Sequence, residues 1–223
     1  MRSKSGIEKA YFGILKEING KADLLAVSKF QSIDSIKCLA NLGHKDFGEN
    51  YLQELELKFA EIPHLNWHFI GSLQSRKIKN IIKCASTIHS VASFSHLDKI
   101  DKSAQSLDKK IDIFLQVNID DDVSKSGFGS CDIDKILECI NSAINMVGVN
   151  VVGLMCLPAQ LDSSSDSFAR MQKLFYNINS QLNDANKLKQ LSMGMSGDYM
   201  DAIEHGSTMV RVGSNIFGPR YTE

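Results

Sequence analysis

Two stretches near opposite ends of the chain hold residue types suited to chemistry on a carbonyl and an anion. One is Leu24-Leu25-Ala26-Val27-Ser28-Lys29, an apolar strand-like run that closes on a lysine. A lysine amine is ordinarily a solvated point charge, but in a suitable setting it traps aldehydes as a Schiff base. The other is Met209-Val210-Arg211-Val212-Gly213-Ser214. Its glycine permits close backbone approach, and its hydroxyl and the N–H groups of a following helix start suit an anion. Arg211 can only donate hydrogen bonds. Taken alone, a lysine at a strand terminus is most often nothing more than a surface residue. Only the fold can join the two stretches.

The elements between them alternate. Apolar, β-branched runs stand at 24–28, 46–48, 68–70, 87–91, 111–117, 149–155, 191–195 and 208–212. Between them, spacing near 3.6 residues predicts helices at 33–40, 51–60, 73–83, 96–106 and 132–146, then from Ser163-Ser164-Ser165-Asp166 to about 183, and at 198–205. A further helix, 7–18, leads the chain and is broken by Gly20. Ser95, three residues before Asp98, reads as the cap of the 96–106 helix. Strand–helix alternation implies a parallel sheet with right-handed crossovers. Eight units without a linker-like shift in composition predict one (β/α)8 barrel domain over residues 1–223. A doubly wound open sheet is the structural rival, but its glycine-rich turn after the first strand is missing.

Composition narrows the classes. At 223 residues, 43% hydrophobic and 23% charged, the chain is ordinary for a globular protein. A net charge of -1 gives no electrostatic case for nucleic acid or an anionic membrane, and no run approaches the ~20 apolar residues of a membrane span. Cys38, Cys84, Cys131, Cys139 and Cys156 are scattered without a Cys-x-x-Cys pair, and the histidines show no metal-ligand spacing. No metal site is expected, and a reducing, cytoplasmic setting is.

Closing a barrel makes its first and last strands neighbours. Lys29 then stands beside Arg211, and the loops after strands seven and eight, the usual phosphate site of such barrels, carry Ser192, Ser196 and Gly213-Ser214-Asn215. A lysine facing a phosphate cradle, with an arginine between, suggests pyridoxal phosphate, which needs an aldehyde trap, a phosphate cup and a ring-nitrogen partner.

The chain resembles the YggS/PROSC family of pyridoxal phosphate-binding homeostasis proteins. The match runs through Ala26-Val27-Ser28-Lys29, Phe47-Gly48-Glu49-Asn50-Tyr51, and Trp67-His68-Phe69-Ile70-Gly71-Ser72-Leu73-Gln74. It continues through Gln116-Val117-Asn118-Ile119, Ser124-Lys125-Ser126-Gly127, Gly153-Leu154-Met155, Leu191-Ser192-Met193-Gly194-Met195-Ser196 and Gly206-Ser207-Thr208-Met209-Val210-Arg211-Val212-Gly213-Ser214. The resemblance implies a barrel like the N-terminal domain of alanine racemase, with the cofactor held as an internal aldimine on Lys29. It further implies Arg211 on the ring nitrogen, Ser192 with Gly213 and Ser214 on the phosphate, Asn50 beside the ring, and Ser196 in the same site. The chain departs from the family at Phe30-Gln31-Ser32, Ser72 and Arg76, which bears on the loops after strands one and three but removes no proposed ligand.

Arginine opposite the pyridine nitrogen keeps that nitrogen unprotonated and the ring a weaker electron sink, which suits storage or racemase-like chemistry better than transamination. The expected role is a non-catalytic, monomeric carrier in pyridoxal phosphate homeostasis, with dependent apoenzymes as acceptors. The alternative is an amino-acid racemase, which needs a second acid/base opposite the lysine. Tyr51, Tyr199 and Cys156 are the residues that could supply it, and the β domain such racemases add is not expected after residue 212. A Schiff-base aldolase would leave Arg211 without a task. Asp120-Asp121-Asp122 reads as a solvated loop rather than a cation site. His68 reads as a hydrogen-bonded core or rim residue, and Lys125 as loop structure.

Overall fold

A computed structural model of the chain describes residues 2–159 and 164–219. Ser163, expected in the cap of the seventh barrel helix, lies outside the described residues. The strands are β1 (Asp23–Val27), β2 (Asp46–Glu49), β3 (Asn66–Phe69), β4 (Thr87–Val91), β5 (Ile111–Asn118), β6 (Phe128–Gly129), β7 (Val149–Cys156), β8 (Gln190–Met195) and β9 (Met209–Val212). The helices are α1 (Lys4–Ile18), α2 (Ile33–Asn41), α3 (Leu52–Glu61), α4 (Ile78–Cys84), α5 (Phe94–Gln105), α6 (Ile133–Ala143), α7 (Ser165–Ser180), α8 (Tyr199–Glu204) and α9 (Ser214–Phe217).

The strands run in the order β4-β3-β2-β1-β9-β8-β7-β5, and a β4–β5 pairing closes the ring with every pair parallel. This is the anticipated (β/α)8 barrel. β1 and β9 are neighbours, with Leu25 opposite Arg211 and Ala26 opposite Val212. The two-residue β6 was not anticipated. It extends from the polar loop after β5 and pairs beside Val117 and Asn118. It is too short to show a period of its own.

Local chemistry sets the element ends. Ser3 caps α1 by accepting from the Gly6 amide at 3.2 Å, and Asn19 ends it in the left-handed region. The cap of α5 is Ser93, which accepts from the His96 amide at 3.2 Å, and not Ser95. Both serines precede the apolar stripe, and the two-residue offset lies within the usual uncertainty of such boundaries. The stretch expected as one helix over 73–83 is a 3₁₀ turn at Ser75–Lys77 followed by α4.

The apolar residues form two cores. The larger lies between strands and helices and includes the fully buried Trp67, Phe47 and Phe168. Each such side chain contributes about 1.5–3 kcal/mol by leaving water. The smaller fills the barrel around Leu25, Phe114, Met155 and Met209. Arg211, Ser192, His89 and His68 are buried with it.

Candidate functional site

A cavity of about 370 Å³ opens at the C-terminal ends of the strands, where barrels of this type keep their functional groups. Six of the seven anticipated residues line it: Lys29, Asn50, Ser196, Arg211, Gly213 and Ser214. The walls between them are apolar, from Val27, Ile70, Met155 and Leu157. Ser192 is the exception. It points into the barrel interior, fully buried, where its hydroxyl accepts from Arg211 Nη1 at 2.7 Å.

Lys29 follows β1 on a loop held from behind by a buried ionic cluster. Lys58, on α3, donates to Glu49 Oε1 at 2.7 Å, Glu54 Oε2 at 2.7 Å and the Ser28 carbonyl at 2.8 Å. The Ser28 hydroxyl donates to Glu49 Oε1 at 2.6 Å, and the Phe30 amide to Glu54 Oε2 at 2.7 Å. Both chain neighbours of Lys29 are therefore tied to the same cluster. Phe30 adopts a φ of 62°, a left-handed conformation that costs a non-glycine residue about 1–2 kcal/mol. Burial pushes the Glu49 carboxyl above its ordinary pKa, and Lys58 pulls it back.

Arg211 sits opposite, at the end of β9. Besides Ser192, its guanidinium donates to the Cys156 carbonyl at 2.8 Å. Burial lowers its pKa, from an ordinary value so high that it stays a cation near neutrality. Among the described residues no carboxylate lies within ion-pair distance of it.

The remaining wall is a loop-and-helix junction. The Gly213 amide donates to Ser196 Oγ at 3.2 Å, and Asn215 Nδ2 to the Ser196 carbonyl at 2.7 Å. The first intrahelical donors of α9 are Ile216 and Phe217, so the Ser214 and Asn215 amides make no helical hydrogen bond. Gly194, with φ 91°, lets β8 kink just before this loop, since a Cβ there would lie 2.6 Å from that of Ala202. Across the cavity, Asn50 Oδ1 is buried without a hydrogen-bond partner. The Asn50 backbone packs so tightly on Gly71 that a Cβ at 71 would lie 1.9 Å from the Asn50 carbonyl oxygen.

The other chemistry-bearing candidates are accounted for elsewhere. Asp120 accepts from the Ala159 amide, Ser167 and Arg170. Among the described residues no His, Cys, Asp and Glu group could hold a metal ion. Lys125 Nζ donates to the carbonyls of Leu157 and Pro158, bracing the wall that Leu157 contributes. Tyr199 donates to Glu17, and burial first, then that glutamate, pushes its phenol up to about 12. Burial pushes the Cys156 thiol up to about 12 as well. Neither residue lines the cavity. Tyr51 is half exposed and packs its ring on Phe30. The sequence-based site missed Lys58, Glu54 and His89. For Lys58 a signal existed: it falls three residues after Leu55, on the buried face of α3.

The family model described as the N-terminal domain of alanine racemase matches residues 12–221. Over 218 residues the chain is 37% identical to the pyridoxal phosphate homeostasis protein of Schizosaccharomyces pombe, a match covering 94% of this chain and 90% of that protein. It is also 37% identical to the protein of the same name from Pasteurella multocida, over 88% of this chain and 86% of that one. Among solved structures, PipY of Synechococcus elongatus with PLP bound matches with a TM-score of 0.85 at 28% identity, over 95% of this chain and all of that chain. The PLP-free form of PipY matches with a TM-score of 0.88. An alanine racemase of Clostridium difficile shares the fold alone: 15% identity, TM-score 0.79, with 58% of that chain covered.

Proposed function

Because this chain belongs to the alanine racemase N-terminal-domain family, and within it to the YggS/PROSC pyridoxal phosphate homeostasis proteins, we propose that its cavity holds pyridoxal phosphate for storage and delivery, without catalytic turnover. The observation that carries this reading is the convergence of Lys29, Arg211 and the Ser196/Gly213/Ser214 loop on one cavity.

The residues fit the group. Among the described residues Asn50 Oδ1 is a buried acceptor without a partner, which suits a donor from a ligand. Arg211 is a buried cation whose hydrogen-bond partners among the described residues are neutral acceptors, and buried charge is ordinarily paired. When bound, pyridoxal phosphate supplies a reactive aldehyde, an electron-withdrawing ring and a phosphate dianion. Lys29 supplies the amine that attaches the aldehyde. Arg211, a donor only, suits the ring nitrogen and withholds a proton from it. Ser196, Ser214 and the amides that open α9 supply phosphate donors. The phosphate role that the resemblance gave Ser192 passes to Ser196, because the Ser192 hydroxyl is engaged inside the barrel.

A racemase would need a second proton-transfer group facing Lys29. Among the described residues the cavity walls carry no histidine, tyrosine, thiol or carboxylate, which supports holding over turnover. We read residues 1–223 as one domain, acting as a monomer in the cytoplasm and passing its cofactor to apoenzymes. Two findings accord with this: no helix among the described residues is long and apolar enough to cross a membrane, and the five cysteines are unpaired.

Borohydride reduction of the loaded protein, followed by peptide mass mapping, should place the pyridoxyl group on Lys29. Lys29→Ala should lose both the adduct and the visible imine absorbance. An unchanged spectrum in that variant rules out Lys29 as the attachment point, and amino-acid racemisation well above the rate of free cofactor rules out the non-catalytic role.

A further inference from the structure

A column of polar side chains runs along the barrel axis, each contributed by a different strand. Asp46 (β2) lies 3.4 Å from His68 Nε2 (β3). His68 Nδ1 lies 3.0 Å from His89 Nε2 (β4). His89 Nδ1 lies 3.2 Å from Ser192 Oγ (β8), which lies 2.7 Å from Arg211 Nη1 (β9). One end opens on a second cavity, of about 440 Å³, at the N-terminal mouth of the barrel, lined by Asp46, His68 and Asn66 among others. The other end is the guanidinium in the cofactor cavity.

The two ends dictate where every proton in the column lies. Arginine only donates, so Ser192 Oγ accepts from it. A carboxylate only accepts, so His68 carries its proton on Nε2, toward Asp46. A neutral His68 then accepts at Nδ1, which requires His89 to carry its proton on Nε2. His89 in turn accepts at Nδ1, and the Ser192 hydroxyl donates there. Each buried donor thus meets one acceptor. Putting the proton on His89 Nδ1 instead would aim two donors at the Ser192 oxygen and leave the serine's own proton without a target in the column. The setting keeps His89 neutral: burial holds its pKa well below the ordinary imidazole value, and the Arg211 cation adds to the effect. Phe114 stacks on the ring at 4.2 Å and locks its plane. Asn66 Nδ2 donates to Asp46 Oδ1 at 3.0 Å, which fixes the far end.

We infer that this column is a one-way hydrogen-bond chain through which Asp46, at the mouth opposite the cofactor cavity, positions Arg211. Asp46, His68, His89 and Ser192 are then positioning residues, acting on the ligand only through the arginine.

The polarity is read directly by nitrogen-15 NMR of the histidine rings in cofactor-free protein. At a pH where the imidazoles are neutral, both rings should carry their proton on Nε2, and a protonated Nδ1 on His89 overturns the chain. This arm does not depend on what the cavity binds. The second arm rests on the proposed function and measures the Kd for pyridoxal phosphate of wild type, Asp46→Asn, Ser192→Ala and the double variant. Asp46→Asn should weaken binding about 3-fold or more in wild type and leave it unchanged once Ser192 is alanine, because that change breaks the chain through which Asp46 acts, whereas residues that share no network would act additively. An equal factor in both backgrounds, or none in wild type, overturns the proposal. Should wild type not bind the cofactor, the cavity reading falls and the ring protonation alone decides the chain. Should Ser192→Ala not fold, the Arg211 side-chain resonances of wild type and Asp46→Asn serve instead. They differ if the chain reaches the arginine and coincide if it does not.

Discussion

The two flanks of the cavity each rest on a buried cation, and the two cations are held in opposite ways. Behind Lys29, the charge of Lys58 meets Glu49 and Glu54 at 2.7 Å each. On the opposite flank, the hydrogen-bond partners of Arg211 among the described residues are a hydroxyl and a carbonyl. A cation already paired with carboxylates has little field left to offer a ligand, so the Lys58 cluster is suited to fixing backbone. It ties down Ser28 and Phe30 on either side of Lys29. A cation surrounded by neutral acceptors keeps its field and its remaining donors for whatever enters. The same barrel thus uses one buried charge to hold a residue and the other to meet a ligand.

Removing the paired cation should have the largest effect. Lys58→Met leaves Glu49 fully buried and Glu54 part-buried without a counter-charge, a class of change that costs about 3–5 kcal/mol. Because burial already raises the Glu49 pKa, protonation of that carboxyl offers partial relief. Adding Glu49→Gln to Lys58→Met should therefore recover much of the loss in urea unfolding. If the single and double variants are equally unstable, the cluster does not act as an ion pair.

On the other flank, Ser192→Ala removes a neutral acceptor and strands one buried donor on Arg211 and one acceptor on His89. The expected cost is smaller, about 1–3 kcal/mol, and it should appear in cofactor affinity as well as in thermal stability. Lys58→Met is expected to lower stability far more than the affinity of protein that remains folded. Identical ratios of the two losses in the two variants would erase the distinction between a cation that holds backbone and one that meets ligand.

What the sequence made legible follows the same division. The barrel is readable because the strand runs at 111–117 and 149–155 are mostly apolar and rich in β-branched residues after the exposed Asp112 and Asn150, as strands covered on both faces are. The cavity residues are readable because barrel closure places strand-end residues in one ring, which brings Lys29 to Arg211 without knowledge of side-chain positions. Supporting residues are harder to see. His89 sits in Thr87-Ile88-His89-Ser90-Val91, where all five residues are buried, so no polar–apolar alternation marks it as facing the barrel interior. Ser192 reads as a loop residue from its neighbours, whereas it alternates along β8 with Leu191 and Met193, which pack in the outer core, and so faces the barrel interior. Lys58 is legible only in part: its place three residues after Leu55 marks the buried face of α3, but its carboxylates lie in another element or a turn away and are not marked as its partners.

The smallest effect, and the finest test of the contrast, is the dependence of stability on pH. On the Arg211 flank, burial, with the Arg211 charge beside it, depresses the folded-state pKa of His89. Below the ordinary imidazole value of 6.5 the unfolded chain takes up a proton that folded His89 refuses. Stability from this group is therefore present above pH 6.5 and lost as pH falls toward the folded pKa. On the Lys29 flank the sign is reversed. Burial raises the folded pKa of Glu49 above 4.5, so the buried carboxylate costs stability near neutrality. That cost is relieved as pH falls through the raised value, where the folded state takes up the proton first. Between the ordinary values of 6.5 and 4.5 the two contributions to the slope of melting temperature against pH oppose each other. Each flank can be silenced separately. Glu49→Gln should steepen the loss of stability on acidification relative to wild type, because the His89 contribution is no longer opposed by this carboxyl. His89→Gln should flatten it relative to wild type, because the Glu49 contribution is no longer opposed by this imidazole. Slopes that move in the same direction in the two variants would mean that the flanks do not differ in the way their proton inventories require.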